Sequence, residues 1–247
     1  MNKFSPTSRL SDLIHANIGL LPVLNRFNIE LGFGDKTVQE ICDSKIVNPD
    51  FFLEIVNAYH NEHYFPQRSL MQFSSILVVN YLSKTHRYYI EVLMPELDVL
   101  LDKMLSFMLK NNMTYIDLIK KFYSDYKREL IVHIENEEKN VFPFIKEIQH
   151  AFDKGISYNE LPAEIKAFSI ETFEKEHSNL DEKLLDLKNI IIKYLPPDYN
   201  SSSCHNFLMK LFILEKDLID HARIEDKILV PKVLELESVL KRRISES

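Results

Sequence analysis

The chain has 247 residues, with 30 basic and 37 acidic side chains, a net charge of −7 and 45% hydrophobic residues. This is enough for one substantial core, or for a small unit beside a larger one. Four glycines and no tryptophan argue against barrels, sandwiches and glycine-loop nucleotide folds, so the expected class is all-α and soluble. The basic residues are scattered along the chain, which gives a nucleic-acid backbone no electrostatic footprint.

The opening stretch MNKFSPTSRL is polar and has no apolar secretory core, and no later segment approaches the roughly 20 apolar residues that span a bilayer. The cytoplasm is the expected compartment. Residues 1–65 read as short helices joined by turns and form a small helical N-terminal domain; they include LSDLIHANIGLLPVLNRFNI, the glycine-bearing ELGFGDKT and PDFFLEIVNAY. Pro66 stops one helix and Ser69 can cap the next, so the domain boundary is expected near residue 66, with residues 66–247 forming a second domain. Four long helices follow at about 69–111, 114–149, 162–194 and 203–241, and short loops between them imply an up-down-up-down four-helix bundle. Cys42 and Cys204 are far apart and form no CxxC pattern, so they read as buried thiols.

Apolar stripes set the orientation of each helix. On the second long helix Tyr115, Ile119, Phe122, Tyr126 and Leu130 step by three or four, and His133 and Glu137 continue the register. On the fourth, Phe207, Leu211, Leu214 and Leu218 lead to His221, Glu225 and Ile228. The first contributes Val79, Leu82, His86, Ile90 and Leu93, and the third Ile170, Phe173, His177, Leu180, Leu184 and Leu187. Each helix therefore brings one histidine inward. Two segments, HIENEEKNVFP from His133 and HARIEDKILVP from His221, repeat one pattern of His, Glu four residues on, and Pro ten residues on.

Buried carboxylates without partners cost several kcal/mol each, against a net stability of about 5–15 kcal/mol. A pair of divalent or trivalent cations compensates them. Imidazole nitrogens with carboxylate oxygens suit iron, and a carboxylate can bridge two metals. Two six-coordinate ions offer about twelve positions; four histidines and two bridging glutamates fill about eight, leaving room for an oxo or hydroxo bridge and an external ligand. A hydrogen-bonded polar network and a zinc site are the competing readings; a closed zinc site would usually take only four ligands, often with cysteine.

These residues resemble the hemerythrin-like bundles over residues 69–247: His on the first helix, HxxxE on the second, His on the third and His-xxx-carboxylate on the fourth. The resemblance implies the metal ligands His86, His133, Glu137, His177, His221 and Glu225, holding two non-heme iron ions. The ENEEKNVFP and EDKILVP continuations, with Glu at the last ligand position, are most similar to the repair-of-iron-centres branch, whose members carry a small helical domain in front. Two positions depart from that branch. Its front turn usually contains Cys-Cys-Gly-Gly, whereas the turn here reads GFGDKT, Gly32 to Thr37. Its bundle usually supplies a further histidine after the first-helix ligand, yet residues 87–132 contain none and Met108 stands near that place. Four residues after His177 comes Asp181, which is an additional candidate ligand.

The resemblance implies a role in nitrosative or oxidative stress, through repair of iron–sulfur clusters or iron donation, and reaction with nitric oxide. The alternative is a hemerythrin-like carrier or sensor of O₂ or NO that does not turn over. The expected partners are small diatomic or peroxide ligands and iron–sulfur proteins, without nucleic acid or membrane; a homodimer is compatible with the sequence. Tyr88, Tyr89, Tyr123 and Tyr126 fall near the expected site by register, where one phenol can hydrogen-bond a metal ligand. His15, His60, His63, His150 and His205 read as structural or solvated.

Overall fold

The computed structural model describes residues 3–61, 63–108, 113–168, 170, 177–196 and 199–243, except for the side chains of 177–179. The front unit contains α1 (Leu10–Ala16), α2 (Leu21–Arg26), α3 (Val38–Lys45) and α4 (Pro49–His60). Thr37 begins α3 with a capping box to Glu40, and Asn48 caps α4 ahead of Pro49, so side chains satisfy amides that the first turns leave open. Among the described residues no strand forms beyond one antiparallel bridge between Arg9 and Thr37.

A short turn of helix, α5 (Gln67–Leu70), precedes the long rods. The first rod is α6 (Ser75–Tyr88) continued by α7 (Met94–Ser106), and the second is α8 (Met113–Asn136) continued by α9 (Phe142–Lys154). After the small helix α10 (Ala163–Ala167), the third rod is α11 (His177–Tyr194). The fourth is α12 (Ser201–Ile224) continued by α13 (Val230–Arg242). The first rod begins at Ser75 because Ser74 caps it, six residues later than the apolar pattern suggests. The third is not continuous from 162, because Phe168 adopts extended geometry after α10. In the bundle α7 packs on α12, α8 on α11, α11 on α12, and α9 on both α6 and α13.

Three rods contain one π-helical turn each, at Tyr89–Leu93, Glu137–Val141 and Glu225–Leu229. Each is followed by a proline at the second position of the next α-helix: Pro95, Pro143 and Pro231. Proline lacks the amide for an α-helical bond and its ring crowds the carbonyl four residues earlier, and a wider turn relieves both problems without breaking the rod. The extra residue shifts the helix phase. Ile90, expected inside, is exposed, while Tyr89 takes the buried face beside Leu93.

Two apolar clusters fill the interior, and Tyr89 and His221 lie where they meet. One joins the front unit (Leu13, Leu24, Phe52, Val56) to Val79, Phe142, Ile145, Ile228 and Val233, with Ile170 against it. The other fills the far end with Leu97, Tyr126, Leu184, Phe207 and Leu211. A buried guanidinium ties the front unit to the rods. Arg26 on α2 pairs with Asp217 on α12 and donates from Nη1 to the hydroxyls of Tyr59 on α4 (3.1 Å) and Tyr81 on α6 (3.2 Å). Asp217→Ala leaves this charge buried without its carboxylate and is expected to cost about 3 kcal/mol in urea unfolding. A cost below about 1 kcal/mol would show that the pair does not hold the two parts together.

Candidate metal centre

His86 lies in the last turn of α6, and Glu137 and Glu225 each open a π-helical turn, one helical turn after His133 and His221 respectively. The imidazoles converge on the carboxylates. His86 Nε2 is 2.9 Å from Glu137 Oε2 and 3.1 Å from His221 Nε2. His133 Nε2 is 3.0 Å from Glu137 Oε1, and His221 Nε2 is 3.0 Å from Glu225 Oε1. One donor atom from each of His86, Glu137, His221 and Glu225 lies within 4.8 Å of the others.

Glu137 and Glu225 are both 0% exposed. Burial alone lowers the pKa of His86, but hydrogen bonds to Glu137 and Glu138, together with the charges of Glu137 and Glu225, outweigh it and carry the value up to about 9. Glu138 shows the opposite balance: burial raises its pKa, while His86, Ser83 and Lys146 hold it below the usual carboxylate range. An ionised Glu138 only accepts, so His86 Nδ1 donates to it (2.8 Å), and Ser83 Oγ donates to its other oxygen (3.2 Å). This bond and stacking on Phe142 (5.3 Å between centroids, 3° between planes) fix the ring with Nε2 facing the cluster.

Tyr89 occupies the position six residues before Pro95 that Glu137 and Glu225 hold before Pro143 and Pro231. Its ring meets His221 edge-on at 5.9 Å. Tyr126 is buried within the far cluster, Tyr123 bonds Asp98, and Tyr88 lies over Arg26. Beside the imidazoles is a cavity of about 30 Å³, lined by His86, Tyr89, His133, Glu137, Asp181 and His221 among others. It has room for about one water-sized molecule. Asp181 lines this cavity and is exposed, so the cavity reaches solvent beside α11.

A family model described as the hemerythrin HHE cation-binding domain matches residues 77–233, a span that contains every candidate ligand. The chain belongs to that family. No curated protein matches it. The hemerythrin-type donor set contains imidazole and carboxylate without thiolate, which fits iron, and two buried carboxylates facing imidazoles fit a cationic occupant.

Five of the six expected ligands are thus brought together: His86, His133, Glu137, His221 and Glu225. His177 opens α11, and its side chain lies outside the described residues, as does Phe173. His15, His63, His150 and His205 are exposed, and His60 packs its ring on Phe4. Sequence reasoning missed Glu138 as the partner of His86, although an acidic residue following the glutamate in both repeats was a signal. In the front unit Gly32 and Gly34 take positive φ in the turn GFGDKT. Cys42, on α3, is 0% exposed, and burial pushes its thiol up to about 11. The folded protein should resist iodoacetamide at Cys42 at pH 8, because the thiolate is scarce and covered. Alkylation at the rate of the unfolded chain would contradict this.

Proposed function

We propose that this hemerythrin-family chain is a cytoplasmic non-heme di-iron protein of the nitrosative and oxidative stress response. It binds NO, O₂ or peroxide at its centre and acts by repairing iron–sulfur clusters or donating iron to them. The observation that carries this reading is the convergence of buried His86, Glu137, His221 and Glu225 beside a water-sized cavity. His133 joins through Glu137, and His177 is proposed as the sixth ligand, from the third rod. When bound, the iron pair supplies redox electrons and an open coordination position. The protein's own residues orient the ligands: Glu138 and Phe142 hold the His86 ring, and Tyr89 and the apolar walls exclude bulk water.

Asp181 stands where the cavity meets solvent. Asp181→Ala is expected to leave the iron content unchanged while altering NO affinity, measured by anaerobic optical titration of the reduced protein. Loss of one iron in this variant would make Asp181 a ligand; an unchanged affinity would remove it from the entry path.

A second reading is a carrier or sensor without turnover, in which the front unit reports the state of the centre. The observation favouring it is the link from Arg26 of the front unit, over the Tyr89 ring, to His221, together with the missing cysteine turn. Multiple-turnover consumption of NO or peroxide favours the enzyme, and reversible binding without consumption favours the sensor. Net iron transfer to an apo cluster protein supports repair; its absence with iron bound argues against it.

A further inference from the structure

Between the front unit and the first two rods lies a second cleft, of about 540 Å³, in the size range of small-molecule sites. On α6, Asn80, Ser83, Lys84 and Arg87 follow one helical stripe into its wall, and α9 adds Lys146. The front unit contributes Ile46, Val47 and Asn48 after α3, with Phe51 on α4 and Phe27 after α2 almost wholly buried behind them. Arg26 also lines it, almost wholly buried, with a buried Nε that has no hydrogen-bond partner.

The charge in this cleft is unusual for the molecule. The chain is acidic overall at −7, yet Lys84, Arg87 and Lys146 meet here, and none of them makes an ion pair among the described residues. The carboxylate at the wall, Glu138, is hydrogen-bonded by His86 and Ser83 and also feels the charge of Lys146, which leaves Lys84 and Arg87 without an acidic partner among the described residues. These three cations line the cleft against one carboxylate, and the surplus of positive charge attracts an anion. The apolar wall adds a second requirement. Ile46 sits at the rim, 97% exposed and at φ 55°, a left-handed conformation that a β-branched residue rarely adopts. A ligand with an apolar body would cover it.

We propose that this cleft binds a small phosphomonoester whose apolar group packs on Ile46 and Val47 while Lys84, Arg87 and Lys146 hold the phosphate. Arg and Lys in one wall suit phosphate oxygens, and the planar guanidinium can engage two of them at once. This cleft is distinct from the small cavity at the centre, and Glu138, which bonds His86, stands in its wall.

The test is isothermal titration of the metal-loaded protein with phenyl phosphate and, in parallel, with inorganic phosphate at matched ionic strength. Phenyl phosphate is expected to bind once per chain at about 1 mM or tighter, and at least several-fold more tightly than inorganic phosphate. Lys84→Glu should weaken it several-fold or more while metal content and melting temperature hold. Lys146→Glu should also weaken it, with metal content measured alongside because Lys146 acts on Glu138. Absence of saturable binding, or equal binding by the variants, overturns the site. Equal affinity for the two probes overturns the apolar half of the claim.

Discussion

Removing the metal is expected to lower the melting temperature by roughly 15 °C or more. The cause lies in the two carboxylates. Glu137 and Glu225 are 0% exposed, and imidazoles face both of them. In the metal-free protein these imidazoles must carry the compensating charge, and His86, with its pKa drawn up to about 9, already does so. Two imidazole Nε2 atoms 3.1 Å apart cannot both be protonated without repulsion. The metal-free centre is therefore under-compensated, and cations that bind only the folded chain add stability according to their occupancy. At concentrations a thousandfold above Kd this is about 4 kcal/mol per ion, or about 8 for two. Calorimetry of loaded and chelator-stripped protein checks this. If the two melt together, the carboxylates are satisfied by protein groups alone.

Glu225→Ala is expected to abolish most metal binding, with at least one ion lost per chain and a tenfold or greater loss of affinity for any that remains. Its effect on the fold has the opposite sign from a usual core truncation. In the metal-free state the substitution removes a fully buried anion, so the stripped variant should melt no lower than stripped wild type, whereas the loaded comparison should show the full loss. Glu237→Ala provides a control on the same rod, because Glu237 lies three turns beyond the centre on α13. A Glu225→Ala protein that retained two ions would remove this residue from the ligand set, and a stripped variant much less stable than stripped wild type would assign it a structural role.

The rods and the inward faces of His86, His133, His221 and their glutamates were legible because helical periodicity is local and survives over many turns. Apolar residues at steps of three and four point one way whatever the rest of the fold does. Ile90 shows the limit of that reading. Continuing the stripe from His86 by four residues reaches Ile90, but the buried residue is Tyr89, at the alternative step of three, where the π-turn begins. The signal was present in Pro95, Pro143 and Pro231, each six residues after the start of a wide turn. A proline inside a helical pattern demands some adjustment, but its spacing alone does not distinguish a kink from a π-turn. Phe168 likewise interrupts the third rod through local backbone geometry that apolar spacing does not encode. The pairing of Arg26 with Asp217 spans 191 positions and leaves no periodic trace in either helix, so only the folded chain reveals it. Glu138 falls between these cases: its acidity was visible, but its direction toward His86 Nδ1 depends on how α6 and the second rod cross.

The central claim is that five convergent side chains, completed by His177, hold two irons between four rods. Metal analysis of protein purified anaerobically from iron-replete cells, read together with its Mössbauer spectrum, tests it most directly. The account predicts two irons per chain in a coupled pair. Protein that contains no iron, or one tightly held zinc ion per chain, would contradict it.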